Sequence, residues 1–102
     1  MAEWQDNTSP VLVVEEHVVF SFSALCRASG ADAEQVQALI VEGMLQPSGS
    51  GPADWTFGGH ALRQARTALR LAHDLELSLS GTALVMDLLA EIEALRMRLH
   101  HR

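Results

Sequence analysis

The sequence predicts a mainly α-helical domain: a helix-turn-helix, a short β wing and two longer helices, the last with a brief coiled-coil-like seam. Three observations carry that reading. Two short apolar-periodic segments meet across Gly30, each with its own capping residues. A Ser-, Gly- and Pro-rich stretch, Gln46 to Asp54, separates Met44-Leu45 from Trp55-Thr56-Phe57. Beyond it, apolar residues recur three and four apart from Leu62 to Leu99.

Met1 to Pro10 is polar and ends on Ser9-Pro10, which predicts a frayed tail. Val11 to Val14 and Val18 to Phe20 are β-branched runs around Glu15-Glu16-His17, read as an edge strand or as two strands with a turn. The domain division expected is a flexible segment over residues 1–17 and a single domain over 18–102. Ser21 or Ser23 caps the first helix, whose apolar side holds Phe22, Leu25 and Ala28, and Gly30 ends it. Asp32 caps the second helix, with Gln35 completing a capping box. Its apolar stripe is Val36, Leu39 and Ile40, and Gly43 terminates it. Met44-Leu45 and Trp55-Thr56-Phe57 are expected as the two strands of the wing, with Trp55 and Phe57 facing the third helix.

The third helix is expected from about His60 to Glu76, with Leu62, Ala65, Leu69 and Ala72 toward the core and Arg63, Arg66 and Arg70 on another face. Ser80 is read as the cap of a final helix reaching about Leu99. Val85, Leu88, Ile92, Leu95 and Leu99 alternate three and four apart along it, an oligomerisation seam of two heptads. A seam that short is compatible with folding back on its own domain and with pairing with a second chain.

Composition narrows the function. In 102 residues of formal charge −6, nearly half are apolar, so the chain has enough core for one domain and too little polarity for a solvating tail. Residues 1–54 hold eight acidic side chains against Arg27 alone, whereas residues 55–102 are nearly balanced. A single cysteine, Cys26, forbids an internal disulfide and makes a thiolate metal cluster a poor expectation, so a reducing, cytoplasmic setting is expected. No apolar run approaches a membrane span, and Glu3 and Asp6 stand where a signal peptide carries positive charge. Neither a catalytic motif nor a cofactor or metal motif is found. His73-Asp74 is read as solvated helix surface whose neighbours point apart, and His100-His101 as a fraying end.

Charge decides the partner class. Between Arg27 and Arg63 there is no lysine or arginine, although a DNA reader concentrates its cations in that segment. The segment offers instead Asp32, Glu34, Glu42 and Asp54, which predicts a binding surface for a basic protein, with Trp55 as an apolar anchor. Trp4, in the tail, has no assigned contact.

The layout Phe20 to Cys26, then Gly30, then Glu42-Gly43-Met44-Leu45-Gln46-Pro47, resembles the N-terminal module of MerR-type regulators, without their basic and tyrosine residues in the second helix. A closer resemblance covers residues 18–99. Leu25-Cys26, Trp55-Thr56-Phe57 before His60, Arg70-Leu71-Ala72-His73-Asp74-Leu75-Glu76-Leu77, Gly81, Asp87 and Ile92 look like the CbpM family of chaperone modulatory proteins. Gly58-Gly59 stands where that family carries acidic residues. The resemblance implies a MerR-like winged helix-turn-helix and a modulator of a CbpA-type, DnaJ-like co-chaperone. Such a modulator would bind the basic J-domain and limit stimulation of Hsp70. The alternative is a MerR-like DNA-binding transcriptional regulator dimerising through the final helix.

Overall fold

The structure, a computed structural model, describes residues 11–14 and 17–101. The chain runs through β1 (Val11–Val14), β2 (His17–Ser21), α1 (Phe22–Ser29), α2 (Ala33–Val41), a 3-10 turn (Pro52–Asp54), β3 (Thr56–Gly58), α3 (Gly59–Asp74) and α4 (Leu79–His100). The strands form one antiparallel sheet in the order β1-β2-β3, with Val11 opposite Phe20 and Phe20 opposite Phe57. Of the two readings of the first segment, two strands with a turn is the one adopted. β1 therefore belongs to the sheet although it precedes residue 18. The expectations for Met1 to Pro10, Trp4 included, lie outside the described residues.

Local chemistry sets the helix ends. Ser21 closes β2 and opens α1, its Oγ accepting the Ala24 N–H at 3.1 Å. Asp32 and Gln35 complete the capping box of α2: Gln35 N–H donates to Asp32 Oδ1 at 2.8 Å, and Asp32 N–H to Gln35 Oε1 at 3.1 Å. Two glycines take the left-handed conformation that ends each helix, Gly30 at φ 78° and Gly43 at φ 83°. After Gly43, the Met44 N–H reaches back to Leu39 O at 2.9 Å, and both side chains sit in the core.

The wing departs from expectation. Met44 and Leu45 are not a strand; both are buried plugs beneath α2. β3 pairs with β2 instead, because Phe57 can enter the core only where the sheet meets α1 and α3. What remains of a wing is one bridge, Ser48 to Thr56, closed by two backbone bonds of 3.0 and 2.9 Å. At its tip Gly49 has φ 122°, and a Cβ there would lie 2.6 Å from the Asp54 carbonyl oxygen, so only glycine fits.

The core gathers Leu25, Val36, Leu39, Leu45 and Phe57 over a row of alanines on α3. Of the expected stripe of Leu62, Ala65, Leu69 and Ala72, Ala65 is fully buried as expected, and it is joined by Ala61 and Ala68, which lie outside that stripe. Small side chains let α3 approach its neighbours closely, while Leu62 and Leu69 pack at the flanks. α3 also ends before Glu76: Leu75 is its cap, and Glu76 itself adopts φ 54°. The Leu77 N–H then reaches Ala72 O at 3.0 Å, a left-handed helix end built on a non-glycine residue. The next helix is capped by Ser78, two residues before the expected Ser80, through Gly81 N–H to Ser78 Oγ at 3.0 Å. Thr82, fully buried, returns its hydroxyl to Ser78 O at 2.8 Å.

Candidate protein-binding surface

The core-facing side of α2 is Val36 and Leu39, with Ile40 packed against them, so its opposite side is open to solvent. Along that side lie Glu34, Gln37 and Val41, spaced three and four residues apart, with Glu42 as the helix cap. Val41 is 81% exposed, while the other large apolar side chains of the two helices are buried or half-buried. Sequence reasoning passed over it, since it is one step off the stripe. The available signal was a β-branched residue placed between two glutamate-bearing turns.

The expected site residues divide. Glu34 and Glu42 are exposed on α2, and neither makes a side-chain hydrogen bond among the described residues. Asp32 is exposed, but its Oδ1 serves as the α2 cap. Asp54 is likewise engaged, its Oδ2 accepting Ser50 Oγ–H at 2.9 Å across the wing. Trp55 is half-buried, with ring centroids 6.3 Å from Phe22 and 6.4 Å from Phe57, a packed aromatic corner with one side still open. Beside the end of α2, a cleft of about 360 Å³ is lined by Met44, Leu45, Gln46, His60, Ala61 and Gln64.

Cations stay on α3. Arg63, Arg66 and Arg70 are exposed, and Arg66 Nη2 donates to Ala28 O at 3.0 Å, which ties α3 to the end of α1. His73 and Asp74, expected to point apart, meet at 3.3 Å between Nδ1 and Oδ1. They sit on the terminal turn of α3, highly exposed, where solvent leaves the pair little strength. Cys26 is a free, half-buried thiol. Burial pushes its ionisation above the ordinary range and the Asp32 carboxylate pushes it further, against its own backbone hydrogen bond and Arg27.

The seam residues of α4 also divide. Val85 is half-buried, while Leu88, Ile92, Leu95 and Leu99 are exposed. Among the described residues no helix is long and apolar enough to cross a membrane.

Comparison with known proteins agrees with this geometry. The family model described as MerR HTH family regulatory protein matches residues 20–101. A chaperone modulatory protein CbpM of Pseudomonas putida is 35% identical over 79 residues, covering 78% of each chain. The CbpM of Pseudomonas entomophila is 33% identical over the same length. That of Coxiella burnetii is 30% identical over 88 residues, covering 86% of this chain and 83% of its own. With a matching family model over most of its length and relatives matched over most of both chains, this chain belongs to the CbpM family of chaperone modulatory proteins, on a MerR-type scaffold.

Proposed function

We propose that this protein is a chaperone modulator acting by binding alone, and that its target is the J-domain of a CbpA-type, DnaJ-like co-chaperone. By occupying that domain it limits stimulation of Hsp70. The observation that carries the reading is the solvent face of α2, where Glu34 and Glu42 flank an exposed Val41 in a segment without lysine or arginine. Carboxylates at the rim raise the on-rate and select a basic partner, while a desolvated apolar side chain slows dissociation. The contact set is Asp32, Glu34, Glu42, Asp54 and Trp55, with Val41 added. Of these, Glu34, Val41 and Glu42 are the freest to engage, because Asp32 and Asp54 already hold local structure. A cytoplasmic setting follows from such a partner.

Calorimetry with a purified J-domain at moderate salt tests it. Glu34→Arg combined with Glu42→Arg weakens binding by at least about tenfold with an unchanged circular dichroism spectrum. Equal affinity in the double variant removes α2 from the interface.

The regulatory description of the matching family model favours one rival, a DNA-binding regulator. It requires Arg63, Arg66 and Arg70 on phosphate, and Arg66 already holds the Ala28 carbonyl. A gel shift on genomic fragments at low salt distinguishes the two; a salt-sensitive retained band supports the rival.

A further inference from the structure

The end of α2 runs directly into the cleft beside it. Gly43, which ends that helix, stands on the lip, one residue after the exposed Glu42. Two chemistries meet inside. Met44, Leu45 and Ala61 are almost wholly buried and give the cleft an apolar floor, while Gln46, Gln64 and His60 supply polar walls. Neither glutamine makes a side-chain hydrogen bond among the described residues, so each keeps an amide oxygen open to a partner.

The volume of about 360 Å³ falls at the bottom of the range of roughly 300–1,000 Å³ for small-molecule sites, which enclose most of their ligand. Here Gly43, Gln46, Gly58 and His60 are exposed, so a free small molecule would keep much of its surface in water. The cleft suits one long side chain carried in on a protein backbone. Charge says which kind. No lysine or arginine is among its lining residues. Arg63, the neighbour of Gln64 in sequence, is turned about 100° away round α3, with its guanidinium over Gly59.

We propose that the cleft receives a lysine or arginine side chain of the partner. Its methylene stem lies on Met44, Leu45 and Ala61, its charged head bonds to the amide oxygens of Gln46 and Gln64, and Glu42 stands outside at the mouth. This inference rests on the reading of α2 as a face for a basic protein, and adds the point at which that partner is anchored. Amides in place of carboxylates spare the empty cleft a half-buried, unpaired charge. An anchor seated in a cleft concentrates binding energy, and the exposed acids of α2 select the encounter.

Calorimetry of variants of the full chain with a purified J-domain at moderate salt tests it. Gln64→Glu is expected to tighten binding about threefold to tenfold, and Gln64→Arg to weaken it about tenfold. A gain in affinity cannot come from a misfolded protein, so Gln64→Glu is decisive whatever Gln64→Arg does to the fold. Ser80→Glu, on the first turn of α4 beyond the far end of α3, adds the same charge and is expected to change affinity by less than about twofold. Equal gains in Gln64→Glu and Ser80→Glu would assign the effect to net charge and overturn the proposal. Tighter binding by Gln64→Leu with weaker binding by Gln64→Glu would overturn it too, as the signature of an apolar occupant. If all the Gln64 variants match the unaltered protein while Glu34→Arg with Glu42→Arg loses affinity, α2 holds the partner and the cleft does not. A J-domain that fails to bind the unaltered chain overturns both readings.

Discussion

The guanidinium of Arg66 on α3 donates to the carbonyl oxygen of Ala28 at the end of α1, 38 residues earlier in the chain. The last carbonyls of a helix have no partner inside it, and Cys26 O is already taken by the Gly30 and Ala31 N–H groups. Arg66 satisfies a further one and places its charge at the negative end of the α1 dipole.

Arg66→Ala is expected to cost about 0.5–1 kcal/mol of unfolding free energy, since the bond is solvent-exposed. Urea denaturation read by circular dichroism checks it. An unchanged midpoint shows that water replaces the guanidinium without loss.

Glu76 is the one non-glycine residue with positive φ among the described residues. Left-handed backbone costs a side-chain-bearing residue ~1–2 kcal/mol, partly offset by the extra freedom glycine has when unfolded. Glu76→Gly is therefore expected to stabilise by about 0.5–1 kcal/mol, and Gly30→Ala or Gly43→Ala to destabilise by about 1 kcal/mol. A Cβ at either glycine meets no atom within 4 Å, so the cost there is purely conformational. Thermal melts of the three variants give the signs.

Because burial first and Asp32 second raise the Cys26 ionisation, the folded state favours the neutral thiol. That contribution to stability is fully present below the unfolded thiol's range, near pH 8.5, and is lost as pH rises toward the folded value. Unfolding free energy should thus decline through the alkaline range, and Cys26→Ala should flatten the decline. Asp32→Asn keeps a competent helix cap while removing the carboxylate, so iodoacetamide should modify its Cys26 faster than that of the unaltered protein. Equal rates would assign the raised ionisation to burial alone.

Val41 is too exposed to support the core, so Val41→Ser should leave the melting temperature within a degree or two. If α2 faces the partner, the same change costs on the order of tenfold in J-domain affinity, the loss of one buried apolar side chain. A destabilised variant would contradict the exposure of Val41; unaltered affinity would shift the contact toward Trp55 and the wing.

The local devices of this protein were legible in its residues: Ser21 as one of two candidate caps, the Asp32–Gln35 box, Gly30 and Gly43 as helix ends, and the acidic character of α2. Each depends on groups a few positions apart, whose spacing any chain of this sequence keeps wherever it folds. Tertiary structure alone decided that β3 joins β2 rather than Met44-Leu45, that Ala61 and Ala68 join Ala65 facing inward on α3, that Arg66 is spent on Ala28, and that Val41 and the second half of α4 remain bare. Those outcomes rest on long-range competition for a small core. One row of alanines admits close packing, and Phe57 fills the space that remains. Side chains equally apolar but about two turns beyond Met86, such as Ile92 and Leu95, are left exposed because the domain ends before it reaches them.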